Sequence, residues 1–161
     1  TGVRVSALVN INVQDLDLER HVLRVYEKGF DRSGKPKELM LSNEVIGFTK
    51  SWLEERANIP GIEQTDALFI SNYGNGVKRL TTSAVRKIVS KFTEGIDKHI
   101  TPHKLRSTFA TDYYNMTHDI YSTAVAMGHT NVQVTRHYAA VTKEKQLENM
   151  NELAKKTTSF I

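Results

Sequence analysis

The hydrophobic pattern of this chain changes at about residue 42, and that change limits the folds it can adopt. Before it, residues 13–18 alternate apolar and polar side chains, and residues 22–26 are rich in β-forming types, so both stretches predict short strands. Residues 27–36 have the composition of a turn, and residues 37–41 would form the returning strand. The first quarter of the chain therefore predicts a small antiparallel sheet.

After residue 42 the apolar residues recur at helical spacing. Ser42 is a suitable N-cap for a helix that continues to about Ala57. Further helices are predicted to begin at Thr81 or Thr82, and at Thr101 with Pro102, the second continuing to about Asn115. Another is predicted from Asp119 to Met127, with Gly128 after it. A helix from Thr130 to Tyr138 and a charged helix over 143–156 complete the prediction. The predicted fold class is α+β, mainly helical, with a small antiparallel sheet near the N-terminus.

Length and composition exclude several classes of protein. A chain of 161 residues, 39% hydrophobic and 25% charged, is expected to form one globular domain. The net charge of +4 permits nucleic-acid binding without requiring it. The absence of cysteine excludes a disulfide scaffold and cysteine-based metal or redox chemistry, and it suits a cytoplasmic location. We find no apolar run that predicts a membrane span and no signal peptide.

His103 and Arg106 are three residues apart at the start of a predicted helix, so they share one of its faces. The first turn of a helix also offers backbone N–H groups and the positive end of the helix dipole. A proton donor, a guanidinium and free amides would thus surround an anion. Taken alone, this pair is common by chance, and a surface helix with a solvated arginine is the favoured interpretation.

Four other residues carry the same kind of chemistry, and three of them also have an ordinary structural alternative. Arg4 offers a second permanent fork for phosphate oxygens. His129 can exchange a proton near neutral pH, or it can cap a helix or lie in the core. Tyr138 can be a covalent nucleophile or a half-buried aromatic residue, and Lys28 can be a general acid or a solvated charge in a turn. The combination suits attack on a phosphodiester.

In order and spacing, these residues resemble the motifs of the tyrosine recombinase family, also called the phage integrase family. Residues 1–6 look like its first arginine motif, Lys28 follows Arg4 by 24 residues, and residues 103–106 look like its His-x-x-Arg motif. His129 follows Arg106 by 23 residues, and Tyr138 follows His129 by 9. Two departures stand beside the match: Ala7 replaces a common acid, and Met127 replaces the usual leucine. Neither alters the predicted catalytic set.

The resemblance implies an enzyme that breaks and rejoins DNA strands through a 3′-phosphotyrosyl bond, for integration or excision of a mobile element. Its catalytic residues would be Arg4, Lys28, His103, Arg106, His129 and Tyr138, with Tyr138 as the nucleophile. No cofactor or metal is implied. The partners would be double-stranded DNA and, on DNA, three further copies of the protein in a tetramer, with a monomer expected without DNA. We expect residues 1–161 to be the catalytic domain of a longer protein whose N-terminal DNA-binding domain is missing here.

Two alternatives remain open on sequence grounds. A type IB topoisomerase shares this chemistry, and a non-catalytic DNA-binding module would share the fold. Outside the catalytic set, eight basic residues are candidate contacts to the DNA backbone, and a solvated surface is the alternative for about half of them. They are Arg20, Arg24, Lys35, Lys37, Lys78, Arg79, Lys87 and Lys91.

Overall fold

Helices make up about half of the structure, a computed structural model that describes residues 1–26, 34–72, 76–96 and 99–129, with Leu147, Met150 and Asn151. This confirms the predicted fold class. The helices are α1 (Val5–Val9), α2 (Asn43–Ala57), α3 (Thr82–Phe92), α4 (Pro102–Thr117) and α5 (Ile120–Ala126). The strands are β1 (Leu16–Asp17), β2 (Val22–Val25), β3 (Lys37–Met40), β4 (Ile70–Ser71) and β5 (Lys78–Arg79).

The predicted sheet is antiparallel and has the strand order β1-β2-β3. Leu23 on the central strand lies opposite Leu16 on one side and Leu39 on the other. At the far end of the ladder Val25 pairs with Lys37. The chain between these two residues includes the predicted turn, whose residues 27–33 lie outside the described part.

The predicted N-caps are confirmed at all four described helices that the sequence analysis placed. The side-chain oxygen of each cap accepts a hydrogen bond from a backbone N–H in the first turn, at 2.8–3.3 Å. The caps are Ser42 on α2, Thr81 on α3, Thr101 on α4 and Asp119 on α5. Such oxygens accept hydrogen bonds from backbone N–H groups that have no partner within the helix. Because this preference selects particular residue types, the helix starts could be predicted from the sequence.

Three local predictions were wrong or incomplete. Val13–Asp15 is a turn of 3-10 helix rather than the start of a strand, since the Asp15 carboxylate accepts from the backbone N–H of Asn12 at 2.8 Å. Helix α1 was not predicted, because its five residues are too few to show a helical period. The antiparallel β4–β5 hairpin was not predicted as a pair of strands. The helices predicted over 130–138 and 143–156 lie outside the described residues, apart from Leu147, Met150 and Asn151, which are helical.

The hydrophobic core lies between the three-stranded sheet, α1 and α2. Its buried members are Ala7, Ile11, Leu23, Val25, Leu39, Leu41, Ile46 and Leu68. Trp52 of α2 packs against them, and its indole N–H donates to the carbonyl of Leu68 at 2.9 Å. Helices α4 and α5 pack against each other, and α5 approaches the sheet along β3. Within the described residues, no helix combines the length and apolarity that crossing a membrane requires.

Candidate active site

Four of the six predicted catalytic residues line one cavity of about 270 Å³. Arg4 comes from the N-terminus of α1, His103 and Arg106 from the first turns of α4, and His129 from the segment after α5. Three segments that are far apart in sequence therefore meet at one point. The remaining lining residues are Val5, Ser6 and Pro102.

Arg106 is the most enclosed of these residues, with only 7% of its surface exposed. Its guanidinium donates to the backbone carbonyl of Gly2 and to that of Met127, the latter at 3.1 Å. Because these acceptors belong to two other segments of the chain, they fix the plane of the guanidinium. An orientation held in advance is what electrostatic stabilisation of a transition state requires.

Arg106 also contacts His129, and this contact identifies the histidine tautomer. Nη2 of Arg106 lies 2.7 Å from Nε2 of His129. A guanidinium has donors only, so Nε2 must accept and cannot carry a proton in this arrangement. The proton of a neutral His129 ring is thus assigned to Nδ1 from the hydrogen bond. Any hydrogen bond that His129 donates while this contact persists must come from Nδ1.

Gly2 is required beside Arg106 for two reasons that sequence analysis did not detect. Its φ of 60° lies in the left-handed region that glycine adopts most readily. A Cβ atom at this position would overlap the ring of Phe109 on α4. The close approach of residue 2 to α4 brings the Gly2 carbonyl within reach of Arg106.

Arg4 and His103 stand at the N-terminal ends of their helices. Arg4 is the N-cap residue of α1, and its carbonyl accepts from the backbone N–H of Leu8 at 2.8 Å. His103 follows Pro102 in the first turn of α4 and is exposed. The Thr101 hydroxyl accepts a hydrogen bond from the backbone N–H of Lys104 at 3.2 Å. One of the free amides expected at this helix start is therefore already paired.

The segment that carries His129 is held by contacts to α5 and to the sheet. The N–H groups of Gly128 and His129 donate to the carbonyls of Val125 and Ala124, and Gly128 has a φ of 65°. The ammonium of Lys37, on β3, donates to the Gly128 carbonyl. From the sequence Lys37 was only a candidate DNA contact, because no local pattern predicts a contact across 91 residues.

Lys28 and Tyr138 lie outside the described residues. Their predicted places in the site therefore stay predictions. The described part of the chain contributes the two arginines and two histidines.

Three of the eight candidate backbone contacts bind groups of the protein itself. Arg24 forms ion pairs with Asp17 at 3.9 Å and Glu38 at 3.7 Å, Lys37 binds Gly128, and Arg79 binds residues 9–12. The other five are exposed: Arg20, Lys35, Lys78, Lys87 and Lys91. Exposure keeps these five available for phosphate contacts.

A larger cleft of about 550 Å³ lies between β3, α2, α4 and α5 and contains none of the four clustered residues. Its walls are mainly apolar, with Leu39, Val45 and Phe109 among the lining residues. The smaller cavity is the candidate active site because the groups that can bind an anion and move protons converge there. Among the described residues, no group of three or more His, Cys, Asp or Glu is arranged to hold a metal ion.

Known proteins share this sequence pattern and this fold. The sequence profile described as "Phage integrase family" matches residues 1–145. Tyrosine recombinase XerS of Streptococcus gordonii is 34% identical over 158 residues, which are 95% of this chain and 42% of XerS. The chain thus spans less than half the length of this curated relative.

Two solved structures resemble the described fold. The crystal structure of XerA recombinase matches with a TM-score of 0.76 and 30% identity, over 94% of this chain and 53% of that chain. XerH site-specific recombinase, bound to palindromic difH substrate in a post-cleavage complex, matches with a TM-score of 0.72 and 27% identity, over 93% of this chain and 42% of that chain.

Proposed function

The chain belongs to the phage integrase family, and on this premise we propose that it is the catalytic part of a site-specific DNA recombinase or integrase. The enzyme breaks and rejoins DNA strands, in integration or excision of a mobile element. The names of its relatives, tyrosine recombinase XerS and XerH site-specific recombinase, support this class of activity. Its substrate is double-stranded DNA, in agreement with the complex of XerH with a DNA site.

The proposed reaction conserves the energy of the phosphodiester bond. The Tyr138 oxygen attacks a backbone phosphorus, the bond from phosphorus to the 5′ oxygen breaks, and a 3′-phosphotyrosyl bond forms. The departing 5′ oxygen receives a proton and leaves as a hydroxyl. A 5′-hydroxyl of a partner strand then attacks the phosphotyrosyl bond, which restores the tyrosine and joins the strands. Each step exchanges one phosphate ester for another, so the reaction needs no ATP and no cofactor.

The clustered residues have separate tasks in this scheme. Arg4 and Arg106 bind the two nonbridging oxygens, whose charge grows in the transition state, and fixed donors of this kind contribute about 100- to 1000-fold each. His103 handles the proton of the nucleophile and Lys28 protonates the leaving oxygen, steps typically worth about 100- to 10000-fold. His129 donates a hydrogen bond to the phosphate, and the tautomer inferred from its contact with Arg106 favours Nδ1 as the donor.

The observation that carries the proposal is the convergence of Arg4, His103, Arg106 and His129 on one cavity. Two guanidiniums and two imidazoles around about 270 Å³ form an anion site that also contains groups able to transfer protons. A module that only binds DNA would not need imidazoles beside the arginines. The alternatives of topoisomerase-like relaxation and mere binding have no observation in their favour.

A nicked suicide substrate tests the proposal. Cleavage of such a DNA releases a short fragment, so a covalent protein–DNA adduct accumulates and can be seen on a denaturing gel. Tyr138→Phe is the matched control, because it removes only the attacking oxygen and should bind DNA without forming an adduct. Joining of the trapped strand to a second duplex would support recombination, whereas absence of any adduct with the full-length protein would contradict the proposed chemistry.

We also propose that four copies assemble on two DNA sites, in the cytoplasm, with the segment after Tyr138 docking on a neighbouring copy. Leu147 and Met150 support docking in trans, because each is helical and 63% exposed on its own subunit. Apolar side chains left exposed on one helix face are typical of surfaces that bind a partner. Without DNA the protein would be a monomer, since one short helix buries little area.

A further inference from the structure

Arg79, on strand β5, binds the segment that follows α1. Its Nη1 atom donates to the carbonyls of Val9 at 2.9 Å and Ile11 at 3.1 Å. Its Nη2 atom donates to Oδ1 of Asn12 at 2.6 Å. Seventy residues separate Arg79 from Val9 in sequence, so this contact joins two distant parts of the chain.

The groups that Arg79 binds are themselves buried. Val9, Ile11 and Asn12 are 7%, 3% and 9% exposed. A buried carbonyl or amide oxygen needs a hydrogen-bond donor, and a guanidinium supplies several in fixed geometry. The Ile11 carbonyl also accepts from the N–H of Leu68 at 2.9 Å, which places the Arg79 contact on a segment already paired with the chain before β4.

This contact lies at the opposite end of α1 from Arg4. Helix α1 has five residues, with Arg4 as its N-cap and the Val9 carbonyl in its last turn. At about 1.5 Å per residue, Arg79 binds the chain roughly 8 Å along the helix axis from Arg4. A cation is also favourable at the C-terminal end of a helix, where carbonyls lack partners. Ala7 of α1 packs in the hydrophobic core, and Arg79 adds a second point of attachment at the C-terminal end of the helix.

We propose that Arg79 is a positioning residue: by holding the C-terminal end of α1, it sets the place of Arg4 in the active-site cavity. The inference rests on the proposed function, in which Arg4 binds a nonbridging oxygen of the scissile phosphate. Arg79 does not line the cavity, so its action on catalysis passes through α1. Arg79 is therefore not proposed as a DNA contact.

Arg79→Lys in the full-length protein tests this inference. The lysine keeps the charge but cannot bind the two carbonyls and the Asn12 amide oxygen together. At saturating suicide substrate we expect adduct formation to slow by about 10- to 100-fold, because displacements of about 1 Å can have effects of that size. The Kd for DNA should change by less than about threefold, since the position of Arg4 matters most in the transition state.

Arg56→Lys is the matched control. Arg56 on α2 likewise donates to backbone carbonyls, those of Thr65 and Ala67, at 2.7–3.0 Å. Helix α2, however, carries no residue of the proposed site. Both variants should lower the melting temperature, and only Arg79→Lys should slow adduct formation. Equal slowing by both variants would show a merely structural role and overturn the inference.

Combining Arg79→Lys with Arg4→Ala distinguishes a failure of this inference from a failure of the proposed function. If Arg79 acts through Arg4, Arg79→Lys should slow the Arg4→Ala enzyme by less than about twofold, because coupled residues are not additive. The full slowing in that background would overturn the positioning role alone. An Arg4→Ala enzyme that reacts at the wild-type rate would overturn the proposed role of Arg4 and the inference with it.

Discussion

Nη2 of Arg106 lies 2.7 Å from Nε2 of His129, and Arg106 also donates to the backbone carbonyls of Gly2 and Met127. One guanidinium thus joins the chain before α1, the end of α5 and the histidine after it. From its sequence motif, Arg106 is predicted to act in the reaction. The contacts show that it also holds the active site together.

This double role predicts two effects of Arg106→Ala. Adduct formation at saturating DNA should fall by about 100- to 1000-fold with the loss of an oxyanion donor. The free energy of unfolding should also fall, by about 1–3 kcal/mol, because buried carbonyls are left without a donor. Single-turnover cleavage and thermal unfolding measure the two effects. The exposed Arg86 on α3 provides a control, and Arg86→Ala should change neither quantity. An unchanged free energy of unfolding in Arg106→Ala would contradict the structural role of Arg106.

Gly2→Ala should damage the site without touching a catalytic side chain. The new Cβ would meet the ring of Phe109 at a backbone angle that alanine rarely adopts, so residue 2 must move and take its carbonyl away from Arg106. We expect slower cleavage and a loss of about 1–3 kcal/mol in unfolding free energy. Gly47→Ala is the control: this exposed helical glycine has open space around it, and alanine there should stabilise by about 0.5–1 kcal/mol. Equal behaviour of the two variants would refute the argument.

Lys37→Met should affect cleavage rather than DNA affinity. The change keeps an apolar stem and removes the ammonium that binds the Gly128 carbonyl. Cleavage should slow by about tenfold, the equivalent of one charge-assisted hydrogen bond of about 1.5 kcal/mol. The exposed Lys35 nearby is the control, and Lys35→Met should leave the rate at saturating DNA unchanged. If Lys37 instead binds the DNA backbone, Lys37→Met would raise the Kd and reduce its salt dependence.

Lys28 can be tested as the general acid by changing the leaving group. A substrate with sulfur in place of the bridging 5′ oxygen needs little protonation of the departing atom. Lys28→Ala should be slow on ordinary DNA and recover substantially on the sulfur substrate. Arg4→Ala serves as the comparison, since its defect should persist on both substrates. A Lys28→Ala defect that is equally large on both would assign the lysine another role.

Deletion of Glu148–Ile161 should leave a folded protein that binds one DNA site but does not join two sites. The exposed Leu147 and Met150 motivate this expectation, because that helix face is not buried on its own subunit. Met150→Asp should reproduce the loss of two-site complexes, and its exposed neighbour provides the control Asn151→Asp. Gel shift with one and two sites, together with thermal unfolding, measures these outcomes. A deletion variant that unfolds, or that still joins two sites, would argue against docking in trans.

Local chemistry made the helix starts and the antiparallel sheet predictable. Ser42, Thr101 and Asp119 cap their helices through bonds to residues two or three positions ahead, so the signal and its effect lie in the same short stretch of sequence. The β-forming residues of 22–26 predicted strand β2, in which Val22, Leu23 and Val25 are buried. By contrast, Val13–Asp15 forms a 3-10 turn with a local capping contact, although its alternating sequence predicted a strand. Helix α1 was too short to be recognised.

The sequence by itself determined the chemistry available to this protein: two arginines, histidines, a lysine and a tyrosine at spacings that resemble one family. Tertiary structure alone decided how four of them are brought together. Arg106 became buried, His129 became its hydrogen-bond acceptor, Gly2 and Lys37 came to bind the segments around them, and Arg79 came to bind the end of α1. The physical reason is distance along the chain. These contacts span 23 to 104 residues, so they exist only once separate elements have packed together, and no local period or cap encodes them.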